Sequence, residues 1–331
     1  SKMTMPGNGA IQAFMRNAVR AGCTAVIIEV SSEGLAQGRH LGIAFDVAVF
    51  LNLTPEHIES HGSFRKYREA KEQLFASLYR SWRKTLQGKR VPTAIVANVD
   101  DPYAFSFLRH AADKHIGFSQ TPNEVKAADG LQLLRATDVT STATQSTFAI
   151  GDTRYVVPLL GAFNVQNALA TIAVLDGLGY DRVKTIAALA TFAGISGRRE
   201  EVQLGAPYRV FVDYAHEPAS LQAAYAAVQL LQPKRLLTLL GAQGGGRDIA
   251  KRGVMGTLAA EHADLVIVTN EDPYDEEPEK IIADVAIAAE AVGKARVYCI
   301  TERAEAIARL LQLAQPGDVL LLTGKGGEQV M

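Results

Sequence analysis

Cysteine is scarce: Cys23 and Cys299 are the only two in 331 residues, far apart and in no Cys-x-x-Cys pair. That excludes a disulfide scaffold and a thiolate zinc site, and it makes a reducing cytoplasm the expected setting. No uncharged apolar run approaches the ~18 residues of a membrane span. Charge of one sign is missing too. Lys and Arg total 34 against 35 Asp and Glu, a net charge of −1, so nucleic acid or anionic lipid meets no bulk attraction and would need a local patch. Neither is expected as a partner. GxGxxG is absent, which argues against a dinucleotide enzyme, and GxxxxGK[ST] is absent, so the chain holds no Walker A phosphate loop. No signal peptide, transit sequence, internal repeat or low-complexity tract is visible.

What is present is an ordinary globular composition, 48% hydrophobic and 21% charged, with length for about two domains of roughly 150 residues. In the first half, Val26–Val30, Val47–Leu51 and Ala94–Asn98 are short, β-branched and almost continuously apolar. Such runs predict strands buried on both faces of a parallel sheet. Helical patterns cover 11–21 and 64–86, the second carrying Tyr67, Leu74, Leu78 and Trp82 among many Lys and Arg. Alternating runs over 146–160 flank Gly151-Asp152 and predict a hairpin, followed by helices at 164–178 and 182–192. The pattern breaks at 193–199. Beyond it, strands predicted near 209–214, 235–240, 264–269, 296–300 and 318–323 alternate with four helices. Right-handed crossovers turn that order into an open parallel sheet covered by helices. The expectation is an α/β protein divided near residue 198: a mostly parallel sheet with helices over 1–197, and a Rossmann-like open parallel sheet over 198–331.

Ligands of such sheets collect at the carboxyl ends of strands, where polar tails follow seven runs: Glu29–Ser32, Asn52–His57, Asn98–Asp101, Asp213–His216, Gly241–Asp248, Asn270–Asp272 and Gly324–Gly327. Glu29 reads either as a helix cap or as a hard oxygen ligand for Mg²⁺. Thr54 as N-cap and Pro55 at the first turn predict a helix start that sets His57 and His61 on one face. A zinc protease needs Glu directly after the first His, and Ile58 stands there. Lys71, taken alone, reads as part of a solvated basic face. The glycine-rich turn from Gly241 could offer backbone N–H groups to an anion, which by itself is a weak signal.

Taken together and in order, several strings resemble one family. Glu29-Val30-Ser31-Ser32 with Gln37-Gly38-Arg39, Phe45–Phe50 running into Asn52-Leu53-Thr54, His57, His61-Gly62 and Ala70-Lys71 are similar to the central domain of the Mur ligases, among them the MurE type. The resemblance continues through Asn98–Asp101, Gly161 with Phe163–Asn167, Gly197-Arg198 with Glu200, Val212–His216 with Pro218, Gly241–Arg252 and Gly324–Glu328. It implies an ATP-dependent amide ligase of peptidoglycan precursor synthesis. Such an enzyme activates the D-glutamate carboxylate of UDP-MurNAc-L-Ala-D-Glu as an acyl phosphate, which the amine of a third amino acid attacks. It also implies that 1–197 is the central ATPase-type domain, without its phosphate loop, and 198–331 the C-terminal domain. The loop and a uridine-binding domain are expected before residue 1, so the chain is expected to be a fragment.

Carried over by residue, the resemblance makes Glu29 and His57 ligands of Mg²⁺ and Lys71 a carbamate, because added CO₂ turns an ammonium into a carboxylate-like anion that suits a hard cation. Thr4, Ser31, Gln37 and Arg39 match positions that hold the UDP-MurNAc-peptide. Asn98, Asn164, Asn167, Arg198 and Asp213 match the ATP side. Arg247, Glu271, Asp272, Pro273, Tyr274, Gly324 and Glu328 match the pocket of the incoming amino acid. The chain departs from the family at Glu33 and Gly327, where His is usual, and at Met5, where a second Thr is usual. Tyr274 stands where diaminopimelate-adding relatives carry an Arg that grips the distal carboxylate. With Glu271, Asp272, Asp275, Glu276 and Glu277 around it, the expected substrate is L-lysine or a similar diamino acid without a second carboxylate. Two other readings remain open: a cyanophycin or folylpolyglutamate type of Mur-fold ligase, and a non-catalytic binding module.

Overall fold

The structure is a computed structural model that describes residues 5–55, 58–86, 88–121, 129–245 and 249–326. Two compact units make up the chain: Ser1–Thr137 with Ala149–Thr153 and Gln166–Ala187, and Asp138–Phe148 with Arg154–Val165 and Ala188–Met331. Along the chain come α1 (Asn8–Arg20), α2 (Ser32–Ala36), β1 (Val47–Phe50), α3 (Ile58–His61), α4 (Phe64–Arg80), β2 (Thr85–Leu86), β3 (Lys89–Arg90), β4 (Ala94–Asn98), α5 (Ala104–Leu108), β5 (Lys114–Ser119) and β6 (Leu131–Arg135). Then follow β7 (Thr137–Ser141), β8 (Ser146–Ile150), β9 (Thr153–Val157), α6 (Ala162–Leu178) and α7 (Arg182–Ala190). The rest is β10 (Arg198–Val202), β11 (Arg209–Asp213), α8 (Pro218–Gln229), β12 (Leu236–Leu240), α9 (Ala250–His262), β13 (Leu265–Val268), α10 (Pro278–Val292), β14 (Arg296–Cys299), α11 (Arg303–Leu313) and β15 (Val319–Leu322).

The first unit is built on a parallel sheet in the order β1-β4-β5-β6. All five residues of β4 are buried, as a strand covered on both faces must be. Helix α4 lays Tyr67, Phe75 and Leu78 against Ala48, Phe50, Ile95 and Phe107, with Phe50 and Phe107 stacked 4.0 Å apart. Ser63 starts α4 by accepting the Lys66 N–H at 3.2 Å. The sequence predicts that helix to residue 86; it stops at Arg80, because Ser81 turns extended, and Thr85-Leu86 instead pairs antiparallel with Lys89-Arg90.

The predicted strand at 26–30 does not form. Ile28 and Val30 pack on Met5, Ile11 and Ile43, but Val26 is exposed and Ile27 is 99% exposed. A strand needs a ladder partner as well as an apolar run, and β1 pairs with β4 alone among the described strands. Of the helix expected to start at Thr54-Pro55, the described residues include Ile58–His61 as helix α3, and Thr54 and Pro55 themselves are not helical. The Gly151-Asp152 hairpin forms as β8 and β9 in the three-stranded sheet β7-β8-β9.

The second unit carries a six-stranded sheet, β10-β11-β15-β12-β13-β14, parallel except for the antiparallel edge strand β10. Its four predicted helices, α8 to α11, form between the five predicted strands. The parallel order follows from those crossovers. Strand β10 was not expected, because its string of Arg-Arg-Glu-Glu lacks the apolar alternation of a strand. Glycine lets α9 and α10 pack closely: a Cβ at Gly256 would run into the Val285 carbonyl oxygen and lie 3.2 Å from the Ala289 nitrogen. Both obstacles are α10 backbone, which cannot step aside as a side chain can. Gly256→Ala is therefore expected to destabilise the second unit by ~2 kcal/mol, read as a lower urea midpoint at unchanged slope.

Candidate functional site

Three expected substrate positions of the first unit come together around the short helix α2. Ser31 is its N-cap and accepts the Gly34 N–H at 3.2 Å, and Gln37 is its C-cap. Arg39 donates to the Gln37 Oε1 and to the Met5 carbonyl, both at 2.5 Å. Met5 is buried against Gly34, where an added Cβ would strike its sulfur. So the methionine that replaces a threonine of the family pattern serves as packing. His61 joins α3 to this group, its Nε2 lying 3.0 Å from the Ser32 Oγ and its ring 5.5 Å from Tyr67.

Glu29 is exposed on the irregular segment before α2. Lys71 is half-buried on α4, its ammonium 5.1 Å from the Tyr67 ring centre, a cation–π position. Thr4 and His57 lie outside the described residues. Among the described residues no cluster of three His, Cys, Asp or Glu side chains is placed to hold a metal ion. At the end of β4, Asn98 is buried and its Oδ1 accepts the Asp100 N–H at 3.1 Å. The acids beside it serve the backbone. Asp100 accepts from Ser119 Oγ at 2.6 Å and Gln120 N–H at 2.9 Å, and Asp101 accepts the Leu53 and Tyr103 N–H groups, both at 2.8 Å.

In the second unit β10 and β11 form one face of the expected nucleotide side. Arg198 pairs in register with Asp213, and its guanidinium lies 4.0 Å over the Tyr214 ring. The ladder slips between Arg198 and Glu200, a bulge that leaves Arg199 at φ +51°. Arg199 thereby turns inward, donating to the Leu160 carbonyl at 2.7 Å and stacking 4.3 Å over Phe163. Asn164 donates to that same carbonyl at 3.0 Å. Arg199 also faces Asp213 at 3.8 Å. Burial pulls the Arg199 guanidinium down to about 10 against the pull of Asp213, and burial raises the Asp213 carboxyl despite its Arg199 neighbour. Sequence reasoning missed Arg199. The double arginine was the visible signal, but only the bulge shows which of the two turns in. Asn167 stands one turn after Asn164 on α6.

The expected amino-acid pocket gathers at the ends of β12, β13 and β15. Glu271 is 5% exposed, and neither carboxylate oxygen has a hydrogen-bond partner among the described residues. It presses on bare backbone: a Cβ at Gly324 would overlap its Oε2, and Gly324 sits at φ +90°, a conformation that glycine alone adopts without strain. Lys325 donates to Asp272 at 2.7 Å, Lys251 is ion-paired with Glu217, and Arg303 donates to the Thr323 carbonyl at 2.8 Å. Burial raises the Glu271 carboxyl to about 7, against the pull of Arg303, Lys251 and Lys325.

The five-acid rim read from the sequence is smaller than counted, since Asp272 is held by Lys325 and Glu276 by Arg252 at 2.8 Å. Arg252 is 1% exposed and also holds Asp284 at 2.9 Å and the Gln243 carbonyl at 3.2 Å, tying the turn after β12 to the loop before α10. Pro273 is gripped by the same turn: a Cβ at Gly244 would overlap its carbonyl oxygen. Tyr274 holds φ +54°, its ring 3.4 Å from where a Cβ of Gly245 would lie. Arg247 and Glu328 lie outside the described residues.

A carboxyl raised by folding makes a stability contribution that is complete below its unfolded value and is lost as pH rises through its folded value. For Glu271 the loss runs from about 4.5 to about 7. Glu271→Gln, which removes the ionisation and keeps the shape, is expected to match the parent near pH 4.5 and to be more stable by ~3 kcal/mol at pH 8. Urea unfolding at the two pH values checks it, and a variant less stable than the parent at pH 8 would show the carboxylate to be compensated.

Comparison with known proteins finds matches over nearly the whole chain. Residues 1–175 match the Mur ligase middle domain, and residues 197–326 match the Mur ligase, glutamate ligase domain. The UDP-N-acetylmuramyl-tripeptide synthetase of Roseiflexus sp. (strain RS-1) is 38% identical over 99% of this chain and 65% of its own length. The UDP-N-acetylmuramoyl-L-alanyl-D-glutamate--2,6-diaminopimelate ligase of Synechocystis sp. is 37% identical over 98% of this chain and 62% of its own. A solved structure of a UDP-N-acetylmuramoyl-L-alanyl-D-glutamate--2,6-diaminopimelate ligase superposes with a TM-score of 0.58 at 29% identity, over 96% of this chain and 62% of that one. The MurF ligase of Thermotoga maritima, solved with ADP, has the same fold at a TM-score of 0.63 and 18% identity, over 89% of this chain and 62% of that one. The chain thus spans somewhat under two thirds of the length of the curated relatives it matches.

Proposed function

The chain belongs to the Mur ligase family, and from that membership we propose that it forms the middle and C-terminal parts of a MurE-type ligase. The full enzyme would use ATP to join a third, diamino acid to UDP-MurNAc-L-Ala-D-Glu. The observation that carries this reading is the match of both domains, in order, to enzymes named as tripeptide synthetases and diaminopimelate ligases. Residues 1–197 would be the central domain and 198–331 the C-terminal one, working in the cytoplasm.

ATP and Mg²⁺ serve this family in general. On this chain, Glu29, His57 and Lys71 are the proposed metal side, and Mg²⁺ would supply charge neutralisation on the transferred phosphoryl group. As an ammonium stacked on Tyr67, Lys71 repels a divalent cation, so the proposal requires its carbamate. The Ser31, Gln37 and Arg39 group, with Thr4, would hold the UDP-MurNAc-peptide; the Arg39–Gln37 contact fixes the guanidinium fork in advance. Asn98, Asn164, Asn167, Arg198 and Asp213 would face the nucleotide, with Arg198 on phosphate and Asp213 on ribose hydroxyls.

Arg247, Glu271–Tyr274, Gly324 and Glu328 would receive the amino acid. Tyr274 offers one O–H where a bidentate cation would be needed to grip a second carboxylate, and Glu271 is a buried carboxyl whose oxygens have no hydrogen-bond partner among the described residues and which an incoming ammonium would hold ionised. That chemistry favours an ammonium end, hence L-lysine over meso-diaminopimelate by roughly tenfold or more.

In the full-length enzyme carrying this chain, ATP-dependent tripeptide formation from UDP-MurNAc-L-Ala-D-Glu is expected, with L-lysine winning a direct competition. Preference for diaminopimelate would sink only the Tyr274 argument; no product with either amino acid would sink the ligase. In the same assay, Lys71→Ala is expected to lose most activity and to recover part of it with added short-chain carboxylates. Full activity in Lys71→Arg would show that a plain cation suffices.

A further inference from the structure

Arg199 is costly where it stands. Its backbone holds φ +51°, a conformation that a residue with a Cβ keeps only when its surroundings impose it. Its side chain is 6% exposed, and Nε is buried with no hydrogen-bond partner among the described residues. An apolar side chain would meet the Phe163 ring without that desolvation, so fold stability alone does not account for a guanidinium here.

Three contacts, all within the second unit, fix where the guanidinium points. Nη1 donates to the Leu160 carbonyl at 2.7 Å, the group stacks 4.3 Å over Phe163, and Nη2 stands 3.8 Å from the Asp213 Oδ2. The anchor is itself held, because the Leu160 carbonyl also accepts from Asn164 at 3.0 Å. Gly161 keeps the approach open: at φ +100°, a Cβ there would lie 2.9 Å from Nη1 and 2.8 Å from the Phe163 ring.

The separation of 3.8 Å decides what Arg199 does to Asp213. It is too long for a hydrogen bond and short enough for a strong charge effect in a buried place. Asp213 is 14% exposed, and its Oδ1 accepts the Ala215 N–H at 2.8 Å. Burial raises the carboxyl, and the charge of Arg199 is the largest influence that opposes it, ahead of Arg198, which is exposed and stacked on Tyr214. The Arg199 guanidinium thus favours the ionised form while occupying none of its lone pairs. A carboxylate has about four acceptor sites, and those not used by backbone N–H groups are left for another donor.

We infer that Arg199 is a positioning residue that holds Asp213 as the acceptor for the ribose hydroxyls of the nucleotide. The inference rests on the proposed ligase reading, in which Asp213 faces those hydroxyls. Arg199 touches no nucleotide and acts only through the carboxylate. A hydrogen bond to a charged acceptor is about twice as strong as one between neutral groups, so loss of the guanidinium weakens the hold on ribose specifically.

In the full-length enzyme carrying this chain, Arg199→Met removes the charge and suits the face of Phe163. It is expected to raise KM for ATP roughly fivefold while kcat stays within about twofold of the parent. Binding of 2′,3′-dideoxyATP, which has no ribose hydroxyl to offer, is expected to stay at the parent's level, so the preference for ATP over that analogue shrinks. Arg199→Lys, which restores a cation, is expected to recover part of the preference. Should Arg199→Met fail to fold, Arg199→Gln drops the charge, keeps a donor for the Leu160 carbonyl and allows the same comparison. Equal losses for ATP and its dideoxy analogue would reveal a merely structural role, and a parent-like preference in the folded variant would reveal none; either result overturns the assignment. With a parent that forms tripeptide, those results sink this assignment alone, whereas a parent that binds no ATP sinks the nucleotide reading with it.

Discussion

The site of the second unit depends on how completely the strands β15, β12 and β13 are buried. Every residue of the three is buried, so polar groups can appear only where the strands end. Helices on both faces close off the flanks, and the backbone itself becomes the floor of the site. That floor is bare at Gly241 and Gly324, and the buried Glu271 is pressed onto it. Its raised proton affinity follows from that burial, since three cations within reach pull the other way and do not win.

Two kinds of carboxylate stand at the strand ends, and burial with hydrogen bonding separates them. Asp100 and Asp101 accept backbone N–H groups and hold the exits of β4 and β1 in place. Asp272 and Glu276 are neutralised by Lys325 and Arg252. Glu271 is the buried member of its string, neither of its oxygens has a hydrogen-bond partner among the described residues, and a buried unpartnered carboxylate is costly unless a ligand or a proton answers it. The nearby cations are arranged to support rather than quench it: Arg303 is committed to two carbonyls and Lys251 to Glu217.

The first unit uses the same economy differently. Ser31 and Gln37 cap a five-residue helix, and Arg39 pins its end to Met5. A cap and a substrate contact need not compete, because a serine hydroxyl that accepts from a backbone N–H still has a proton to donate. Local structure is what places these side chains side by side.

Continuous apolar runs of four to six residues predicted β4, β12, β13 and β15 correctly, because burial on both faces is written in consecutive side chains. The Gly151-Asp152 turn and the four helices of the second unit were equally legible, each being decided within a few residues of chain. Resemblance in ordered strings then located the family. The sequence could not show that Val26–Val30 would lack a ladder, since pairing depends on which strand lies alongside. Nor could it show the bulge that turns Arg199 inward and leaves Arg198 on Tyr214. It counted five acids around Tyr274, whereas the fold brings Lys325 to Asp272 from 53 residues away. Residue identity and short-range pattern were enough for the fully buried strands, the hairpin and the helices of the second unit. Register, burial and long-range pairing decided which charged groups remain open, because each depends on neighbours that only the folded chain brings together.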